Sequence, residues 1–256
     1  MSVAACAGIV ERGDPDRFLA TMAAPVAARA VLFPIYAFNI EVARAPWVSQ
    51  EPLIGEMRLQ WWRDILEEIG SGAPPRAHEV VAPLCEVART CPLPLQPLDE
   101  VIGAHAALAE HRGLDDAARL DAFLEATGAG LMWAAAAALG ADPALERPVR
   151  AFGWGAGLAR YLRAIPALEE RGLRPLPDGR PEAVQALARD GLDRLRGVRG
   201  VRIPGPVRPA LLAGWRSSVT LSRAVAVPQR VADGALDESE FRRRASLILR
   251  AFTGAV

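Results

Sequence analysis

"DPDRFLATMAAPVAARAVLFPIYAFNIEVARAPW", residues 14–47, carries two successive helix signals, and the second of them decides the fold. Asp14 is an acidic N-cap and Pro15 suits a first helical turn; with Phe18, Leu19 and Met22 at helical spacing, this predicts a helix over about 15–23. After Pro25, the series Val26, Ala30, Phe33, Ala37 and Ile40 keeps a helical period to about residue 45, with Pro34 as a kink. Such a helix is apolar on most sides and belongs in a core. Asn39 and Glu41 break its inner half, beside Tyr36, and a carboxylate there needs a cation or a cavity. Arg44, Arg160 and Arg163 are the candidate partners of Glu41.

Outward from this helix the pattern stays helical. In EPLIGEMRLQWWRDILEEI (51–69), Leu53, Met57, Trp61 and Ile65 form one apolar stripe, and Glu56, Arg63, Asp64 and Glu67 occupy the other face. Further helices are expected over 78–90, 97–111, 117–139, 146–165, 181–196, 207–226 and 237–252, with loops at 71–77, 171–181 and 197–209. No alternating β-branched run is long enough for a sheet, and no repeat has a fixed period. The expectation is an all-α single domain over 14–256, preceded by a tail over 1–13.

The 256 residues are 51% hydrophobic, enough for a large core, and 30 basic residues, all arginine, balance 30 acidic ones. A net charge of zero, with no basic run among aromatics, argues against nucleic acid as a partner. Cys6, Cys85 and Cys91 show no zinc-site spacing and suit a reduced, cytoplasmic protein. His78, His105 and His111 include no pair three or four apart, so they are read as surface or structural. The apolar run 129–139 is about half the roughly 20 residues a bilayer span needs, and 23–43 is broken by Arg29, Asn39 and Glu41. The N-terminus has no basic region before its short apolar piece. No transmembrane segment or secretory signal is expected, while peripheral contact with the inner membrane fits.

Three stretches together resemble the squalene/phytoene synthase family of head-to-head prenyltransferases, from about residue 14 onward. They are DPDRFLATMAAPVAARAVLFPIYAF, EMRLQWWRDIL and GAGLARYLRAIPALEERGLRPLP, the last placing Leu162-Arg163 and Leu176-Pro177 where the family has LRD and a closing LP. The resemblance implies a terpenoid-synthase-like helical bundle around a central cavity, with two aspartate-rich motifs on facing helices. Carboxylates three or four apart share a helix face and hold magnesium against a leaving diphosphate. Here the first motif falls on Ala43, Arg44, Trp47 and Val48, and the second on Ala164 and Leu168, with Pro166 between them. The asparagine expected upstream of the second motif is Arg160, and the arginine and tyrosine of the closing loop fall on Leu173 and Pro175. FNIEVA and MRLQWWRDIL also look like the mitochondrial complex-I assembly factor of this superfamily, which is similarly poor in these aspartates.

Other acids stand four apart. Asp64 and Glu68 are read as salt-linked to Arg63 or Arg58, Asp121 as opening a helix, Asp233 as a turn residue and Asp237 as the N-cap of the last helix. Trp133, Trp154 and Trp215 are expected in the core, Trp61-Trp62 as one core residue and one neighbour on the helix flank, and Gly153, Gly155 and Gly157 at a close helix approach. The resulting expectation is a protein without catalytic residues, cofactor or metal, whose residual pocket is lined by Tyr36, Asn39, Glu41, Arg160 and Arg163 and which binds a protein partner, a respiratory complex among the candidates. The alternative is an active magnesium-dependent prenyl-diphosphate transferase; a lesser one is a prenyl-lipid carrier or sensor.

Overall fold

A computed structural model describes residues 2–49, 51–110 and 113–253, and among them regular structure is helical throughout. The N-terminal half runs α1 (Val3–Gly13), α2 (Pro15–Met22), α3 (Val26–Arg44), α4 (Pro52–Ser71), α5 (Val81–Thr90), α6 (Gln96–Glu110) and α7 (Ala117–Leu124). A π-helical segment, Glu125–Gly130, joins α7 to α8 (Leu131–Ala138). The remainder is α9 (Glu146–Glu170), α10 (Pro181–Arg196), α11 (Arg208–Leu212), α12 (Ser217–Ala226) and α13 (Glu240–Thr253).

Helix α3 is the axis of the core. Its buried side chains include Leu32, Phe33, Ile35, Tyr36, Phe38 and Ile40, and α1, α2, α5, α6 and α8 all pack on it. Length and apolar content alone would let Val26–Trp47 cross a membrane, yet more than half of its most apolar window is covered by the protein's other helices. Pro34 sits within the helix, as expected. The Phe38 ring meets Trp62 of α4 edge-on at 5.2 Å.

Helix α9 crosses the π-helical segment at very short range. A Cβ on Gly128 would lie 2.7 Å from the Gly153 carbonyl oxygen and 3.0 Å from the Gly157 Cα. On the other side of α9, a Cβ on Gly155 would meet the Gly191 carbonyl oxygen of α10 at 2.7 Å. The three glycines therefore let backbones touch on two faces of one helix. Trp133, Trp154 and Trp215 are buried, as is Trp62, while Trp61 is half-exposed.

Several expectations are corrected. Residues 1–13, expected as a tail, contain α1, whose Cys6, Ile9 and Val10 are buried in the main core. In α4 the inward residues are Gly55, Leu59, Trp62, Ile65 and Leu66, while Leu53 and Met57 are 63% and 64% exposed. Two apolar series with helical spacing compete there, and close packing of Gly55 on the Pro46 backbone selects the second: a Cβ would lie 3.0 Å from the Pro46 Cα. The helix expected over 207–226 is split into α11 and α12, and the last helix begins at Glu240.

Candidate functional site

The two motif positions lie at the C-terminal ends of α3 and α9. Ala43 and Trp47 are half-buried, Arg44 and Val48 are exposed, and Ala164, Pro166 and Leu168 are half-buried on α9. Trp47 and Leu168 pack against the main core. The two segments meet where the Arg171 guanidinium lies 5.4 Å from the Trp47 ring centroid. A cation over an aromatic face thus stands where the family resemblance implies carboxylates around a metal. None of the six motif positions offers a side-chain oxygen, so the residues present do not fit magnesium.

Beside Tyr36 the interior is filled by an arginine and aspartate network. Asp14 and Asp16 flank Pro15 at the start of α2. Asp14 caps that helix by accepting the Arg17 amide N–H at 2.9 Å and also pairs with Arg160 Nε at 3.2 Å. Asp16 Oδ2 accepts from Arg163 Nη1 at 2.7 Å and Arg216 Nη1 at 2.6 Å, while its Oδ1 accepts from Arg243 Nε at 2.8 Å. Arg163 and Arg216 reach a second acid, Asp237, each at 2.9 Å. One carboxylate thus gathers arginines from α9, the start of α12 and α13.

Electrostatics follow from that geometry. Burial alone would raise the Asp16 carboxyl, but the guanidiniums of Arg216 and Arg163 outweigh it and hold the group below the usual carboxylate range. Arg17 is buried with its guanidinium 5.0 Å from the Tyr36 ring centroid. Burial, then repulsion from Arg160, brings Arg17 down to about 10, and burial pushes Tyr36 up to about 12. The Tyr36 hydroxyl has no hydrogen-bond partner among the described residues. Nearby, Tyr161 of α9 donates to the Pro175 carbonyl at 2.6 Å and so ties the closing loop to the helix.

Of the expected pocket residues, Tyr36, Arg160 and Arg163 are brought together and Glu41 is not. Among the described residues Glu41 has no ion pair; Arg160 and Arg163 are held by aspartates, and Arg44 is exposed. Glu41 instead lines an open hollow of about 440 Å³ with Ile54, Met57, Arg58, Trp61 and His78. Asn39 is buried in α3. The Asp16 hub was missed because its partners lie 147 to 227 residues away, and only the doubled acid of Asp-Pro-Asp hinted at it.

The remaining acids are structural. Glu68 pairs with Arg76, and Asp64 accepts from Gln60 at 2.9 Å, in place of the expected links to Arg63 or Arg58. Asp116, not Asp121, caps α7, and Asp121 accepts from the Trp154 indole N–H at 3.0 Å. Asp237 lies ahead of the last helix and serves the arginine network. No group of three His, Cys, Asp or Glu side chains suited to a metal occurs among the described residues. His105 is buried against Phe123, which lowers it to about 4; His78 accepts the Val80 amide N–H, and His111 lies outside the described residues.

This is the all-α terpenoid-synthase fold, and the six positions on which the resemblance places the metal-binding motifs carry no carboxylate. Residues 10–180 match the family profile described as squalene/phytoene synthase, and the chain belongs to that family. A dehydrosqualene synthase crystallised with a ligand superimposes with a TM-score of 0.81 at 14% identity, over 99% of this chain and 97% of that one. Squalene synthase HpnC from Alicyclobacillus acidocaldarius gives 0.60 at 18% identity, over 98% and 94%. Curated relatives are named "NADH dehydrogenase (ubiquinone) complex I, assembly factor 6". The Bos taurus protein is 26% identical over 163 residues, 63% of this chain and 48% of its own length. The Homo sapiens protein is 25% identical over the same length and shares. The Drosophila melanogaster homolog is 38% identical over 64 residues, 25% of this chain and 19% of its own. The chain thus spans about half the length of the mammalian relatives it matches.

Proposed function

We propose that this chain is a non-catalytic member of its family that acts as an assembly protein through a protein partner, with a respiratory NADH dehydrogenase as the client its relatives' names suggest. The observation that carries the reading is the pair of motif positions, which hold Ala43, Arg44, Trp47, Val48, Ala164 and Leu168 in place of carboxylates. Ionising an allylic diphosphate needs metal at the leaving group, and these residues cannot hold one. The interior beside them is occupied by Arg17 and the aspartate pairs of Arg160 and Arg163, a static arrangement suited to a scaffold.

In this reading the partner's seat is α4, where Leu53, Ile54 and Met57 are exposed beside the hollow lined by Glu41. A cytoplasmic position, peripheral to the inner membrane, goes with such a client. The lesser reading, carriage of a prenyl lipid without turnover, draws on a separate hollow of about 520 Å³ lined by Ala104, Ala107, Leu114 and Phe123, with Arg119 and Arg150 in its wall.

Two measurements on one preparation test the proposal. With magnesium and a prenyl diphosphate, pyrophosphate release should stay at background. A ligand at 100 times its Kd stabilises by about 2.7 kcal/mol, and each kcal/mol moves the Tm of a domain this size by roughly 2–4 °C. A magnesium-bridged site would therefore shift the melt by several degrees, whereas the expected magnesium-dependent change is less than about 1 °C. A large shift with pyrophosphate release would falsify the reading and restore the transferase alternative. A shift with lipid alone supports the carrier.

A further inference from the structure

Helix α13 is amphipathic in the wrong sense for a helix that only covers a core. Its inner side docks through Leu247, which packs with Ala20 and Trp215, and through two arginines. Arg243 donates to Asp16 at 2.8 Å and Arg250 to the Ser218 hydroxyl at 3.3 Å. Its outer side carries Phe241, Ile248, Leu249 and Phe252, exposed by 82%, 69%, 63% and 92%. With exposed Ala245, these positions recur at intervals of three and four and share one helical stripe. A soluble surface helix normally turns its apolar stripe inward.

We propose that this face of α13 docks in the plane of an anionic bilayer surface. Arg242 and Arg244, both exposed, flank the stripe on its two sides, and Glu240 is the one acid of the helix. An apolar stripe with phenylalanines and an arginine on each flank is the composition that lies at the boundary of headgroups and acyl chains. The patch continues onto the α2–α3 turn, where Met22 and Val26 are exposed and Pro25 shares a shallow hollow with Phe252 and Arg208. A second copy fits the face poorly, because an isologous pairing would bring the flanking arginines together. An anionic bilayer meets both arginines with negative charge wherever it is touched. The inference refines the peripheral membrane position proposed above, and it stands apart from the assembly role, since no client enters its test.

The test is co-sedimentation of the full chain with phosphatidylcholine vesicles, and with vesicles in which one third of the lipid is phosphatidylglycerol. Binding is expected on the anionic vesicles, to weaken with salt, and to be slight on phosphatidylcholine. The pair Phe241→Asp and Phe252→Asp should lower it more than tenfold, with an unchanged circular-dichroism spectrum because both rings are exposed. Arg242→Gln with Arg244→Gln should lower it about thirtyfold, from about 1 kcal/mol per basic residue at such a surface and 1.4 kcal/mol per tenfold. No binding by the parent chain overturns the proposal, as does equal binding by parent and phenylalanine variants. A lipid-free dimer abolished by the phenylalanine changes also overturns it and gives the face to a second copy.

Discussion

Asp16 is one residue with three guanidiniums on its two oxygens, so its charge is worth more to the fold than that of an ordinary surface acid. Asp16→Asn keeps the shape and removes the charge, leaving Arg163, Arg216 and Arg243 to repel one another. Removing one partner of a buried pair costs about 3–5 kcal/mol, and because this site keeps a small solvent exposure the lower end is expected. The melting temperature should fall by roughly 6–12 °C, and a change under about 2 °C would show that solvent already screens the hub. Two groups contribute to the acid limb of stability. His105 binds its proton near 6.5 unfolded but only at about 4 in the fold, because burial disfavours the cation. Between those values the unfolded chain binds more protons, so stability falls as pH drops through that window, by about 3 kcal/mol at most. Asp16, depressed in the fold, adds a second loss only at lower pH, below the ordinary carboxylate range. Urea titrations at a series of pH values should show the first loss in the parent and not in His105→Leu.

At the scale of elements, the sequence was legible where one apolar series dominated. α3 follows from Val26, Phe33, Ala37 and Ile40, and its Pro34 lies within the helix as expected. The inward face of α4 is ambiguous in sequence because Leu53–Met57–Trp61 and Gly55–Leu59–Trp62 are both spaced like a helix face, and only tertiary packing on Pro46 chooses between them. α1 gives a weak sequence signal because its apolar and small residues lack a long periodic stripe, although Cys6, Ile9 and Val10 are enough to seat it. The glycines of α9 signal a close approach in the sequence, and Gly128 of the π-helical segment is what Gly153 and Gly157 approach. Gly128→Ala sets a methyl against backbone on both sides, where nothing flexible can yield. A loss of about 1–3 kcal/mol is expected, measurable in urea as a lower midpoint at unchanged slope. A neutral result would mean that the two segments separate easily.

For the molecule as a whole, the fold was readable and the site only in part. Composition, helical period and the three family-like stretches suffice for an all-α terpenoid-synthase frame, and the vacant motif positions can be counted in one dimension. The partners of the charges beside those positions could not be counted that way. The pairing expected for Glu41 went elsewhere because Arg160 and Arg163 already had aspartates from the N-terminal segment and from the segment ahead of α13. Charges choose partners in three dimensions, and thirty arginines among thirty acids leave many choices open.

The Asp16 hub also fixes which part of the chain can let go first. Between residues 16 and 243 the ion pair closes nearly the full length of the chain, while α13 itself buries only Leu247. An element fastened by so little apolar surface opens on its own, well below the free energy of global unfolding. Amide exchange over 240–253 should therefore run faster than over the buried middle of α3, and should quicken further in Asp16→Asn while α3 keeps its protection above that of α13. Uniform exchange across both helices would show that they open as one unit. If α13 instead exchanges first, the C-terminal segment is a hinged flap, and a carboxylate near the other end of the polypeptide is part of its catch.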